Sequence, residues 1–274
     1  MRFGVYAPTS NEYDVRTLAA LAGEAEAAGW DGFFMWDNIL ATFDGSGVLA
    51  DTTVALTAVA LATERMRFGA LVTPIARRRP WKLAKETATL DRLSGGRLVV
   101  GAGLGGTWDF VPVGEPDVGR QRAAVLDEGL DVLAALWSGQ PIDHRGTHFA
   151  LHGARIAPPP VQRPRIPVWV AGYWPGRAPF RRAARWDGVA PLRAGCQFQG
   201  LTPAELRDCA DLVASHRGSV DGFDVVYFHT SGTPDSGLVT EYAEAGATWW
   251  LESTFPLTES LSDFRGRVRA GPPR

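Results

Sequence analysis

The residues with the clearest chemical meaning stand at the ends of apolar runs. Gly101, Gly103, Gly105 and Gly106 follow RLVV and strip the backbone of side chains where a ligand could approach it. Gly101, Gly103 and Gly106 match the G-x-G-x-x-G spacing of a dinucleotide-binding turn. Their context departs from that reading. TWDFVPVGEP does not open a helix at once, and the acidic residues further on, Asp127 and Glu128, fall inside an amphipathic helix and not at a strand end. Trp108 and Asp109 follow this loop as candidates for a pocket wall. A second loop, AGYWPGRAPF, carries Gly172, Gly176 and Arg177 just ahead of a helix-like stretch. Free N–H groups at a helix start and one guanidinium can hold an anion, and an ordinary loop with an exposed arginine reads the same way.

Polar side chains close other runs. Asp37 and Asn38 end FFMW, His229 ends VVYF, and Glu252 follows two tryptophans. An imidazole can move a proton or hold an anion, and a carboxylate can act as a base. An amide can hydrogen-bond a ligand but takes no proton near neutral pH. Asn38, His229 and Glu252 are therefore the catalytic candidates, with a hydrogen-bonded strand end as the alternative for His229. Arg77, Arg78 and Arg79 read as a solvated charge run or as an anion receptor. His144, His148 and His152 have a metal-binding spacing if helical, but Gly146 and THFAL point to a hairpin, so no metal is expected.

Strand and helix signals alternate along the whole chain, and these elements must position the candidates. Strands are expected at Arg2–Pro8, Gly32–Asn38, Arg67–Pro74, Arg97–Gly105, Pro167–Gly172, Gly188–Arg193, Phe223–Ser231 and Ala247–Thr254. Helices are expected over Val15–Ala28, Asp51–Thr63, Pro80–Leu93, Gly119–Ser138, Ala178–Trp186, Pro203–His216, Ser236–Ala245 and Thr258–Arg269. Eight such βα units imply one closed (β/α)8 barrel over residues 1–274, with a short insertion at about 139–166. FFMW, LVVGAG and VWVAG are continuous apolar runs, as strands covered on both faces should be. Ligands of such barrels bind at the C-terminal strand ends.

Composition narrows the function classes. A hydrophobic content of 45% in 274 residues suffices for a full core, and a net charge of -2 gives no reason to expect nucleic acid. Two cysteines build neither a disulfide framework nor a cysteine zinc site, so a reducing cytoplasm is expected. No apolar run is long enough to cross a bilayer. Ten tryptophans are many, and those at strand ends suit a flat ligand.

TLDRLSGGRLVVGAGLGG, AEAAGWDGFFMWDN, LDEGLDVLAALWSGQPIDHRGTHFAL and PPPVQRPRIPVWVAG together resemble the luciferase-like flavin-dependent oxidoreductases. The resemblance runs from Arg2 to about Gly188. It implies a (β/α)8 barrel using FMN or the deazaflavin F420. A non-proline cis peptide at the bulge of the third strand would involve Leu71, Val72 and Thr73. Backbone amides of the loop after the fifth strand would hold the cofactor phosphate, through Gly172, Tyr173, Trp174, Gly176, Arg177 and Ala178. Gly103, Leu104 and Gly105 would touch the flavin, and Tyr6 and Asp37 complete the cofactor set. The family's second strand usually ends in Asp-His, whereas Asp37-Asn38 stands here. The Pro175-Gly176-Arg177 loop suits the compact phosphate of FMN, which would imply a monooxygenase fed by a separate flavin reductase and acting on a small organic substrate; the resemblance also implies a homodimer. Hydride transfer with F420 and a non-catalytic flavin-binding barrel are the alternatives.

Overall fold

The structure, a computed structural model, describes residues 1–9, 12–40, 47–115, 119–195, 200–229, 236–254 and 259–273. Apolar runs and amphipathic helices alternate in it as β1 (Arg2–Ala7), α1 (Val15–Ala27), β2 (Gly32–Met35), α2 (Thr52–Ala62), β3 (Arg67–Ala70), α3 (Pro80–Leu93) and β4 (Val100–Gly103). A one-turn α4 (Thr107–Phe110) and a long α5 (Gly119–Trp137) follow. Then come β5 (Val168–Trp174), α6 (Ala178–Ala183), β6 (Gly188–Arg193), α7 (Pro203–Arg217), β7 (Asp224–His229), α8 (Ser236–Glu244), β8 (Trp249–Ser253) and α9 (Leu261–Ala270). Local chemistry sets several of these starts. Asp14, Asp51, Thr202 and Ser260 cap their helices by accepting a backbone N–H, and Pro80 and Pro203 open theirs.

The strands pair in parallel, in the order Arg67–Ala70, β2, β1, β8, β7, β6, β5, β4 and a short segment Thr73–Pro74. Only Leu71 and Val72 separate the first segment from the last, so both are pieces of one barrel strand. Phe68 also bridges Leu98 across this join. The sheet thus closes on itself, ringed by helices. Glycine makes the join possible. A Cβ on Gly69 would lie 2.1 Å from the Val99 carbonyl oxygen, and one on Gly101 would lie 2.2 Å from that of Ala70. The peptide between Leu71 and Val72 is cis.

Two apolar layers result. Phe34, Leu71, Val99, Trp169, Val226, Phe228, Trp249 and Leu251 fill the inside of the barrel, with the rings of Trp169 and Trp249 5.3 Å apart. Val5, Phe33, Met35, Val225, Tyr227 and Trp250 face outward and pack with Leu18, Val59 and Leu133 of the helices. Between α5 and β5 an antiparallel ribbon, Ile142–Arg145 with Ala150–Ala154, leads into a proline-rich connector. The connector is clasped by the buried Asp91 carboxylate, which accepts from the Val161 and Gln162 amides at 2.7 and 3.1 Å.

Some boundaries differ from expectation. β5 extends to Trp174 because Tyr173 and Trp174 pair with Leu192 and Arg193 of β6. α6 has six residues, since Arg185 and Trp186 bond back to Arg182 and Ala183 in turns before β6 begins. β2 stops at Met35 and β4 starts at Val100. The expected strand end at Ser231 and helix start at Thr258 lie outside the described residues.

The first and last helices lock the ring. Arg265 Nε donates to Glu24 Oε2 at 2.7 Å, and Arg269 joins the same carboxylate. These guanidinium bonds, Arg265 first, hold the Glu24 carboxyl at about 2 against an ordinary 4.5. Because the folded value is the lower one, the contribution is fully present above about 4.5 and is lost as pH falls through about 2. Glu24→Gln is expected to leave stability at neutral pH slightly lower and to flatten the acid limb of a urea-denaturation pH series in that window.

Candidate active site

At the C-terminal end of the barrel the inward positions converge. Tyr6 of β1, Leu71 and Val72 at the end of β3, Gly103 of β4 and Phe228 of β7 meet there. The Tyr6 hydroxyl donates to the Leu71 carbonyl oxygen. Its ring packs 5.1 Å from Phe228 and 6.4 Å from Trp36. Burial, with the Tyr173 phenol adding to it, pushes the Tyr6 hydroxyl above its ordinary range, so it stays a neutral donor. Gly103 seats the bulge, since a Cβ there would lie 2.2 Å from Val72 Cγ2. Gly105 has φ +72°, and a Cβ on it would lie 2.8 Å from Phe110 and Pro74. Leu104 beside it is half-buried.

The loop after β5 carries the other expected cofactor residues. Gly172 lets α6 close onto β5, because its Cβ would fall 2.1 Å from that of Pro179. Trp174 turns to the helices and packs edge-on against Phe180 at 5.6 Å. The Gly176 amide donates to the Tyr173 carbonyl at 2.9 Å, closing the turn. Arg177 precedes α6 as its cap residue, and Tyr173, Gly176, Arg177 and Ala178 are exposed.

A buried charge cluster joins the loops after β2, β3 and β4. Arg77 Nη2 lies 2.7 Å from Asp37 Oδ1, and its Nη1 lies 2.5 Å from Asp109 Oδ2. Arg78 Nη2 donates to both Asp37 oxygens at 2.8 Å. The Ile39 and Leu40 amides donate to Asp109 at 3.0 and 2.9 Å. The side chains of Arg77, Asp37 and Asp109 are 7%, 3% and 1% exposed. Desolvated ions of this kind persist because each has a partner. Asp37, expected on the cofactor, is therefore taken up by two arginines, and with Thr73 and Arg78 it lines a cavity of about 30 Å³ between the barrel and α2 and α3. Arg77 and Arg78 are therefore not a solvated charge run, whereas Arg79 is exposed. Asn38 lies half-buried between this clamp and the exposed Ile39.

His229 and Glu252, expected as catalytic groups, do not face the barrel axis. They are register partners on β7 and β8, and alternation points them outward because Phe228 and Leu251 point in. His229 stacks on Trp250, ring centroids 4.7 Å apart. Glu252 accepts from Trp250 Nε1 at 3.1 Å and pairs with Arg267 of α9, which also holds Glu259. Burial pushes the Glu252 carboxyl up, while the charges of His229 and Arg267 oppose that. His144, from the ribbon, sits 3.0 Å from Glu128 of α5. The structure thus brings Tyr6, Leu71, Val72 and Gly103 together and sends Asp37, Thr73, Trp174, His229 and Glu252 to the helix side. Sequence reasoning missed the Asp109–Arg77 pair; its signal was one arginine run after the third strand and an acid after each neighbouring strand.

A closed parallel barrel ringed by helices, with aromatic side chains at its C-terminal mouth, defines the α/β barrel class. The chain belongs to the luciferase-like monooxygenase family, whose model matches residues 1–191. The F420-dependent glucose-6-phosphate dehydrogenase of Beutenbergia cavernae is 32% identical over 170 residues, 61% of this chain and 49% of that protein. The enzyme of the same name from Microbacterium testaceum is 28% identical over 64% of this chain and 52% of that protein. The chain thus spans about half the length of the curated relatives it matches. Among solved structures, the F420-dependent tetrahydromethanopterin reductase of Methanopyrus kandleri superposes with a TM-score of 0.77 at 18% identity, covering 98% of this chain and 96% of that one. The monooxygenase RslO1 of Streptomyces bottropensis gives 0.71 at 21% identity, covering 98% and 82%.

Removing Arg77 leaves the buried Asp109 carboxylate without a cation and Asp37 with Arg78 alone. Arg77→Ala is expected to lower stability by about 3–5 kcal/mol in urea denaturation. Arg185→Ala, which breaks a pair with Asp131 that is about half exposed on both sides, is expected to change it by less than about 1 kcal/mol.

Proposed function

We propose that this chain is an oxidoreductase that holds F420 at the C-terminal mouth of the barrel and serves two-electron hydride transfer with a small organic substrate. The observation that carries this reading is the 32% identity to a relative named as an F420-dependent dehydrogenase. It favours the F420 alternative over the FMN monooxygenase expected from the sequence, and FMN is the second cofactor to test.

The mouth fits a flat ring with a phosphate-bearing tail. Leu71 and Val72 offer an apolar ledge, and Gly103 leaves the neighbouring strand without a side chain of its own. Exposed Arg177 and Ala178 offer backbone N–H groups, and Arg177 a guanidinium, for a phosphate. When bound, the cofactor supplies a hydride donor or acceptor at its ring. The chain holds and shields. Tyr6 pins the Leu71 carbonyl and thereby the ledge. Phe228, Trp36 and Val72 keep water from the reacting face. Asn38, close by in the chain, can orient a polar group but takes no proton.

The test is a fluorescence titration of the folded apoprotein with F420 and FMN side by side. Saturable, tighter binding of F420 is the expected result. Binding of FMN alone returns the monooxygenase reading, and binding of neither removes both. Tyr6→Phe loses one hydrogen bond at the ledge and is expected to weaken F420 binding about 5- to 30-fold, equivalent to about 1–2 kcal/mol.

A further inference from the structure

The substrate class can be read from the charges and the rim of the mouth, on the strength of the cofactor site proposed above. We propose that this mouth takes an uncharged, largely apolar organic substrate, in contrast to the sugar phosphate in the names of the curated relatives.

The first observation is how the arginines at the strand ends are used. Arg77 and Arg78 are bound to Asp37 and Asp109 in a buried cluster of two cations and two anions. Such a cluster is neutral and has little attraction for a further anion. A phosphate brought to it would meet two carboxylates at close range, in surroundings too dry to screen them. Arg193, at the end of β6, is paired with Glu205, which is itself fixed in the capping box of α7. Among the described residues Arg177 and Arg79 have no ion-pair partner; Arg177 stands on the loop allotted to the cofactor phosphate, and the Arg79 guanidinium lies 5.9 Å from the ring centroid of Trp81.

The second observation is the rim. Ile39 and Leu40 after β2, and Val111 and Val113 after β4, are 52%, 42%, 55% and 56% exposed. These are large apolar side chains left in water on adjoining loops. The Asp109 carboxylate ties them together, because it stands in α4 two residues before Val111 and accepts the Ile39 and Leu40 amides. Buried charge is thus spent on holding apolar side chains at the entrance. Exposed apolar patches of this sort mark binding sites. The third observation is the wall below the rim, where Tyr6, Val72, Ala171 and Leu192 pack as half-buried side chains on the inner apolar cluster. Rim and wall together form an apolar approach to the ledge, which gains from removing apolar surface from water and cannot solvate a charge.

The proposal is tested with two matched probe pairs that share a stem and differ in charge: 1-octanol against octanoate, and glucose against glucose 6-phosphate. Binding is read by quenching of tryptophan fluorescence and by thermal shift, on apoprotein and on protein already saturated with whichever cofactor binds. Saturable binding of octanol, at least tenfold tighter than octanoate, with no response to glucose 6-phosphate, is expected. Val113→Glu, a change at an exposed rim position, is expected to weaken octanol about tenfold while leaving the melting temperature of the free protein and the cofactor titration unchanged. Octanoate or glucose 6-phosphate binding as tightly as octanol overturns the proposal, and so does a mouth that binds none of the four. Failure of F420 to bind, with octanol still preferred, would remove the cofactor reading and leave the substrate class standing.

Discussion

The contact between β3 and β4 is the constraint on which this molecule depends. The barrel can close only if the strand carrying Arg67–Ala70 reaches β4, and that approach is too near for side chains. Gly69 and Gly101 meet carbonyl oxygens of the facing strand, and Gly103 meets Val72, at distances no Cβ could occupy. The same approach turns the chain through the Leu71–Val72 peptide and presents it to the mouth. Fold closure and site formation are therefore one event here. Glycine at these three positions removes the side chains that would hold the strands apart, and the glycine-rich text after the fourth strand is first a packing requirement.

The charge cluster of Asp37, Arg77, Arg78 and Asp109 does for the loops what the glycines do for the strands. Three loops that leave neighbouring strands have no sheet bonds to hold them. Directional bonds from a planar guanidinium to carboxylates on both sides supply that order. A hydrophobic contact would have held the loops together without fixing their register. Aromatic packing continues the same logic on the far side, where the rings of Tyr227 and Tyr242 lie 3.7 Å apart and tie β7 to α8.

Much of the fold was legible because strand and helix texts alternate and are punctuated by caps such as Asp51 and Pro80. The orientation of strand ends was not. A strand that alternates apolar and polar residues announces which face is which, but VVYFH and WWLES are buried throughout. In such runs the period-two signal vanishes, and only the packing of Phe228 and Leu251 inside the barrel shows that His229 and Glu252 look outward. The same loss hid the orientation of Trp174. Ion pairing between Asp37, Arg77 and Asp109 joins loops 32 and 40 residues apart in the chain, a distance over which charge text has no pairing rule. The cis peptide came from likeness to a family and not from residue chemistry.

Family membership rests on residues 1–191, which end within β6. That stretch contains the β3–β4 join, the charge cluster and the loop after β5, which include the parts proposed to hold a ring and a phosphate. The parts that choose a substrate are different in kind. They are rim side chains on loops, and loops vary while the barrel under them is kept. The high structural likeness to proteins under 25% identical follows from this division, because closure and packing constrain the whole chain while the rim is constrained by substrate alone. A relative's substrate therefore transfers poorly even where its cofactor transfers well. In this chain Arg77 and Arg78, which another rim could offer to a phosphate, are already bound to Asp37 and Asp109. An anion could reach these two guanidiniums only by displacing a buried carboxylate, and that exchange would also release the loops they hold.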